Sequence, residues 1–239
     1  MSTKAIILAA GRGSRMTDLT DNKPKCLIEF RGRSLLEWQL AALRGAGISQ
    51  ISVVTGYMRE TVPLQGLKEF QNERWAQTNM VSSLECAEEW LSSERCIVSY
   101  SDIYYSDSSI RPLLQDKSPL AIAYDPNWLD QWSRRFAKPL DDAETFILDQ
   151  EGMVLEIGGK AETIDEIQGQ YMGLLSFRPE GWAKFKKMRT EMDDFEIDQM
   201  HLTGAISRLV SLGYCQVRAV PVEDEWLELD TQEDIRILE

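Results

Sequence analysis

Leu8-Ala9-Ala10-Gly11-Arg12-Gly13-Ser14-Arg15, with Lys25 ten residues beyond Arg15, is the stretch from which the fold can be read. The apolar run Ala5–Ala10 has the length of a buried strand. It stops at Gly11 and Gly13, residues that permit a tight turn and close backbone approach to a ligand. The N–H groups of such a turn form a nest for anions, and Arg12, Arg15, Lys23 and Lys25 add cations. The combination suits a triphosphate. It is not the dinucleotide fingerprint, because the third glycine is missing, nor a Walker A loop, because no Gly-Lys-Ser/Thr closes it. A glycine turn alone does no more than join a strand to a helix. The spacing to Arg15 and Pro24-Lys25 is what makes this one specific.

The rest of the composition isolates that turn. The 239 residues carry a net charge of −13, which argues against nucleic acid or an anionic membrane surface as partner. Residues 1–33 nevertheless hold seven Lys/Arg against three acids, a local reversal that fits a dedicated anion site. Cys26, Cys86, Cys96 and Cys215 are widely spaced and form no C-x-x-C pair, so reduced thiols in a cytoplasmic protein are expected. With His201 as the single histidine, a His/Cys zinc site is not expected. No apolar run approaches a membrane span or a signal peptide.

Strand-like runs at Ala5–Ala10, Ile51–Thr55, Cys96–Tyr100 and Leu120–Tyr124 alternate with helical stripes. Leu36, Leu40 and Leu43 share one helix face, stopped by Gly45 and Gly47; Met80, Leu84, Ala87 and Leu91 share another, with Thr78 or Asn79 as N-cap. The alternation predicts an α/β fold, a Rossmann-like three-layer αβα arrangement on a mostly parallel sheet, with ligands beyond the carboxyl ends of the strands. From Tyr124 to residue 180 the segments are shorter: Thr145–Leu148, Val154–Ile157 and Tyr171–Phe177. These predict a small antiparallel β extension forming an acceptor pocket. A helix from Asp198 to Leu212 and a strand over Glu225–Leu229 complete the reading. No linker interrupts it, so one domain is expected over 1–239.

Two aspartates end strands: Asp102 after Cys96–Tyr100, and Asp230 after Trp226-Leu227-Glu228-Leu229. Alone, an Asp in such a place is commonly a turn residue. The N-terminal signature, with Asn22-Lys23-Pro24-Lys25-Cys26-Leu27 and Trp226-Leu227-Glu228-Leu229-Asp230-Thr231, resembles the nucleotidyltransferases that join a nucleoside triphosphate to a small phosphate. Thr78-Asn79-Met80-Val81-Ser82-Ser83-Leu84 is similar to the phosphocholine cytidylyltransferase branch. Trp132-Ser133-Arg134-Arg135-Phe136, Pro139–Thr145, Ile157-Gly158-Gly159-Lys160 and Gln170-Tyr171-Met172-Gly173-Leu174 look closer to the CTP:phosphoglutamine cytidylyltransferases of capsule modification.

The resemblance implies a cytidylyltransferase using CTP, with Asp102 and Asp230 holding Mg²⁺. It assigns 1–124 to the nucleotide and 125–239 to the acceptor and the second metal ligand. Nucleotide-binding candidates are Leu8, Ala10, Gly11, Arg12, Gly13, Ser14, Arg15, Lys25, Thr55, Gly56, Asn79 and Ser101. Asn79 is alternatively a plain helix cap. Lys25 is suited to the α-phosphate, where charge grows in the transition state, and Arg15 to the leaving pyrophosphate. Lys160 meets a phosphate or is a turn lysine. For the acceptor, an aromatic cage of Trp128, Trp132, Tyr171 and Trp226 would suit a quaternary ammonium. An arginine fork of Arg134 and Arg135, with Asp141, Asp142 and Glu144 for an ammonium, would suit an amino-acid-like phosphate. A sugar-1-phosphate nucleotidyltransferase using UTP, GTP or dTTP, and a nucleotide-binding regulator without turnover, are the rivals. A monomer and a homodimer are both compatible with the sequence.

Overall fold

A computed structural model describes residues 2–238. In chain order it begins with β1 (Thr3–Ala9), the short hairpin β2 (Glu29–Phe30) and β3 (Arg33–Ser34), α1 (Leu35–Gly45), β4 (Gln50–Thr55) and β5 (Lys68–Gln71). It continues through α2 (Met80–Glu85), α3 (Glu88–Leu91), β6 (Arg95–Tyr100), β7 (Ile103–Tyr105), α4 (Asp107–Gln115), β8 (Leu120–Asp125) and α5 (Trp128–Arg135). The remainder is β9 (Glu144–Leu148), β10 (Val154–Lys160), β11 (Gln170–Phe177), α6 (Pro179–Arg189), α7 (Asp194–Gln199), α8 (Leu202–Ser211), β12 (Arg218–Pro221), β13 (Trp226–Glu228) and α9 (Gln232–Leu238).

Seven strands form the central sheet in the order β12-β8-β11-β6-β1-β4-β5. Alternate residues of β1 serve opposite faces. Ile6 and Leu8 pack with Leu84, Trp182, Phe185 and Leu209, while Ala5, Ile7 and Ala9 pack with Leu36, Leu43, Ile110 and Leu113. Helices therefore cover both faces, as the alternating pattern requires. α1 starts where the sequence permits it best: the Ser34 hydroxyl accepts from Glu37 N–H at 3.2 Å, and Ser34 N–H donates to the Glu37 carboxylate at 2.8 Å. β1 pairs in parallel with β4 on one side and β6 on the other. Connections leaving β1's two neighbours diverge here, which opens a crevice at the strand ends.

Three expectations need correction. The antiparallel extension is smaller than expected: only β9 and β10 form a separate hairpin, while β11 lies inside the central sheet, antiparallel to both β6 and β8. Nearly every residue of β11 is buried, the mark of a central strand covered on both faces. The stripe from Met80 to Leu91 breaks at Ala87 into α2 and α3. The expected helix from Asp198 also divides, because Met200 and His201 take extended backbone and α8 starts at Leu202. Among the described residues all four cysteines are unpaired, and burial pushes the Cys26 and Cys96 thiols up to about 12. Among them, too, no helix is long and apolar enough to cross a membrane.

Candidate active site

The turn after β1 is built around two glycines with different demands. Gly13 has φ +69°, and a Cβ there would lie 3.0 Å from the Cβ and Cδ of Lys25. Left-handed backbone and close packing on the lysine stem both require glycine. Gly11 has nothing within 4 Å of its would-be Cβ, so its surface faces open space. Pro24 precedes a single 3-10 turn, Lys25–Leu27, which buries Lys25 beneath Gly13.

These residues line a cavity of about 270 Å³, together with Leu8, Ala10, Ser14, Arg15, Asn79, Ser101 and Asp102. The sequence reading missed Trp75, Met80 and Tyr100, which with Thr78 and Ser83 complete the lining. Three nucleotide candidates lie elsewhere. Arg12 points outward to Asp21 at 2.9 Å. Thr55 is fully buried, its hydroxyl donating to Glu69 at 2.6 Å. Gly56 backs the wall: a Cβ there would lie 2.6 Å from the Ala10 carbonyl and from Trp75. Asn79 lines the cavity and accepts from Met80 N–H at 2.8 Å as N-cap of α2.

At the floor of this cavity the two strand-end aspartates meet. β13 pairs antiparallel with β7, and Leu229 N–H donates to the Asp102 carbonyl at 3.0 Å. That small ladder brings residues from opposite halves of the chain together. The Lys25 ammonium sits between them, Nζ 2.8 Å from Asp102 Oδ2 and 2.6 Å from Asp230 Oδ1. Arg15 reaches Asp230 Oδ1 at 3.1 Å from the solvent side. Burial alone would lower the lysine's pKa, but Asp102 and Asp230 outweigh it and hold the ammonium above its ordinary value. Burial would likewise raise Asp230; Lys25, Arg15 and Arg135 reverse the sign, and its carboxyl lies below the usual range. Stripping one member from a buried set like this costs about 3–5 kcal/mol.

The fit of these residues to a metal can be judged from their free lone pairs. Asp102 Oδ1 is buried with no hydrogen-bond partner, a carboxylate oxygen left for something other than protein. Among the described residues no third His, Cys, Asp or Glu makes a protein-only cage. Mg²⁺ asks for no such cage, since one or two carboxylates plus phosphate oxygens and water are its usual shell. Two aspartates beside a polyphosphate-shaped turn match that donor set.

A second cavity, also about 270 Å³, shares Arg15, Met80, Tyr100 and Asp102 with the first and runs toward the β9–β10 hairpin. Trp132, Asp142, Glu144, Gln170, Tyr171, His201, Thr203, Glu228 and Asp230 line it. Of the acceptor candidates, Trp132, Asp142, Glu144 and Tyr171 therefore line it, and Arg134, Arg135, Asp141, Lys160, Trp128 and Trp226 do not. Arg135 is consumed by protein: its side chain is 1% exposed, with Glu228 and Asp234 at 2.9 Å and Asp230 at 3.5 Å. It cannot turn to an acceptor carboxylate without abandoning three buried acids. Arg134 and Asp141 are exposed and line neither cavity, and Lys160 is exposed at the end of β10. Nor does the aromatic cage close. Trp128 and Trp226 are buried against Trp132, with ring centroids 6.0 and 6.2 Å away, and do not face the cavity.

Arg135 instead braces the acids behind the cavity floor. Asp234, its partner, accepts from the N–H groups of Asp230 and Thr231 at 3.0 and 2.8 Å. Glu228 and Glu144 both face the second cavity. Burial and nearby Asp230 push Glu228 up to about 7, against the pull of Arg135. Burial and Asp142 raise Glu144, against the Thr203 hydroxyl.

Residues 5–148 match the MobA-like NTP transferase domain. The chain is 34% identical to a CTP:phosphoglutamine cytidylyltransferase of Campylobacter jejuni over 249 residues, covering 98% of each. It is 33% identical to a 2-aminoethylphosphonate cytidylyltransferase of Lancefieldella rimae over 163 residues, 65% of this chain and 61% of that protein. The fold superimposes on a solved CTP:phosphocholine cytidylyltransferase from Streptococcus pneumoniae with a TM-score of 0.74 and 21% identity, covering 100% of this chain and 98% of that one.

Proposed function

This chain belongs to the MobA-like NTP transferase domain family, and we propose that within it the chain is a cytidylyltransferase that moves CMP from CTP to a small amino-bearing phosphate. The observation that carries the proposal is Lys25 held between Asp102 and Asp230 at the mouth of the Gly11–Arg15 turn. CTP lies in the first cavity, with its phosphates on the backbone of Gly11 to Ser14. The acceptor lies in the second. An oxygen of its phosphate attacks the α-phosphorus in line; the bond to the bridging oxygen breaks, and its electron pair leaves with pyrophosphate.

Most of the work is placement and charge neutralisation, because the nucleophile is already an anion and needs no general base. Lys25 moves from its two carboxylates to the α-phosphate, where negative charge accumulates in the transition state. Arg15, already at the rim, balances the leaving pyrophosphate. Asp102 and Asp230 hold Mg²⁺, which when bound supplies positive charge to the phosphate oxygens. The 98% mutual coverage with the Campylobacter relative favours a phosphoglutamine-type acceptor.

The test is a pyrophosphate-release screen with Mg²⁺, crossing CTP, UTP, GTP and dTTP with phosphoglutamine, phosphocholine, 2-aminoethylphosphonate and a sugar 1-phosphate. CTP is expected to be the preferred donor, with turnover lost in EDTA. Preference for another triphosphate with a sugar phosphate would transfer the assignment to the sugar enzymes.

A further inference from the structure

Beyond the second cavity the trough widens into an outer groove of about 660 Å³ that has no assigned role. It is continuous with the acceptor cavity, since Glu144, His201 and Thr203 line both. One wall is β10; the other is α8, whose Gly204, Ser207, Arg208 and Ser211 follow helical spacing along one face. The walls stand close where Gly158, with φ +80°, faces Thr203: a Cβ there would lie 3.1 Å from the Thr203 Cβ.

The groove is charged in an ordered way. Glu144 is half-buried, and among the described residues no cation lies within 4 Å of its carboxylate; the Thr203 hydroxyl is its side-chain partner. Glu156 lies on the same wall. On the facing wall stands Arg208. Its Nε is buried without a hydrogen bond, and its nearest carboxylate, Glu196, is 3.9 Å away, too far to saturate a guanidinium. A carboxylate without a cation and an arginine with only one long carboxylate contact and an unpartnered Nε thus line one cavity.

We propose that this groove binds the far end of the acceptor, and that this end is a zwitterion: its ammonium on Glu144 and its carboxylate on Arg208. The acceptor is then a phosphorylated amino acid rather than a simple amino-alcohol phosphate or a sugar phosphate. This proposal rests on the reading of the second cavity as the acceptor site. It also supplies the arginine that the sequence placed at positions 134 and 135, at a position 73 residues beyond Arg135. The planar fork of Arg208 suits a carboxylate, and a guanidinium–carboxylate contact in a partly dry groove is among the stronger polar interactions.

The experiment compares wild type, Arg208→Met and Glu144→Gln with CTP and two acceptors: phosphoglutamine, which carries both charges at its far end, and 2-aminoethylphosphonate, which carries an ammonium alone. Arg208→Met is expected to raise KM for phosphoglutamine about tenfold or more, leaving KM for 2-aminoethylphosphonate and CTP and the melting temperature unchanged. Glu144→Gln is expected to raise KM for both acceptors. Equal effects of Arg208→Met on the two acceptors, or none on either, would overturn the zwitterion assignment while leaving cytidylyl transfer intact. Thermal-shift titration with the same two compounds gives an answer independent of turnover. Phosphoglutamine must stabilise wild type more than 2-aminoethylphosphonate does, and that margin must vanish in Arg208→Met. If no acceptor releases pyrophosphate from CTP, the transfer reading fails, and the titration alone decides the groove.

Discussion

The phosphate turn and the acceptor wall solve opposite problems. The turn comes from one continuous stretch, Leu8 to Lys25, and brings its two glycines to the first cavity. Gly11 is bare and Gly13 is left-handed because the chain itself must come close. The acceptor wall is assembled from Trp132, Glu144, Tyr171, Thr203 and Glu228, contributed by five separate segments, and presents side chains. A backbone site grips what all triphosphates share. A side-chain site can be respecified one residue at a time without disturbing the first. This contrast explains why the family is recognisable at its N-terminal half while the acceptors named for its relatives differ.

The contrast makes graded demands on mutants. The largest effect belongs to the junction of the two regions, where Asp230→Asn is expected to lower kcat on the order of 10³-fold in pyrophosphate release. The same variant tests the linkage of charge to stability. Asp230's carboxyl lies below its ordinary value in the fold, so its contribution is present at pH values above the usual carboxylate pKa of about 4 and is lost as pH falls through the folded value. Melting temperature against pH should therefore have a shallower acid limb in Asp230→Asn; an unchanged limb would mean the cluster does not stabilise the fold.

A smaller effect is expected at the turn. Gly13→Ala adds a methyl 3.0 Å from the Lys25 stem on left-handed backbone, a strain of about 1–3 kcal/mol. It should weaken CTP binding and slow turnover about 10- to 100-fold while leaving the relative preference among acceptors as in wild type. A changed acceptor ranking would break the independence of the two regions. The smallest effects are expected at Arg134→Ala and Lys160→Ala. Both side chains are exposed and line neither inner cavity, so kcat/KM should stay within about twofold of wild type.

How much of this was legible in the sequence follows the same division. The layers, the parallel core around β1 and the turn were readable because local patterns encode them: an apolar run, two glycines, and the helical stripe of Leu36, Leu40 and Leu43. Asp102 and Asp230 were found as strand-end acids, although only the pairing of β7 with β13 brings them together. Trp75 and Tyr100 carried no signal, since an aromatic in a loop or at a strand end looks the same whether it lines a cavity or fills a core. Arg135 misled for a physical reason. Two adjacent arginines on α5 face opposite ways, one to solvent and one into a buried acid cluster that Glu228, Asp230 and Asp234 assemble from the far end of the chain. Position 208 was invisible for the converse reason: an arginine in a helical stripe reads as a solvated face until the opposing wall is known.

The β7–β13 ladder has a consequence for the order of assembly. β12 ends at Pro221, so every strand of the central sheet precedes Asp230 in the chain. The sheet can thus be complete while Lys25 faces Asp102 alone. The second carboxylate arrives only when the last short strand, three residues long, docks on β7.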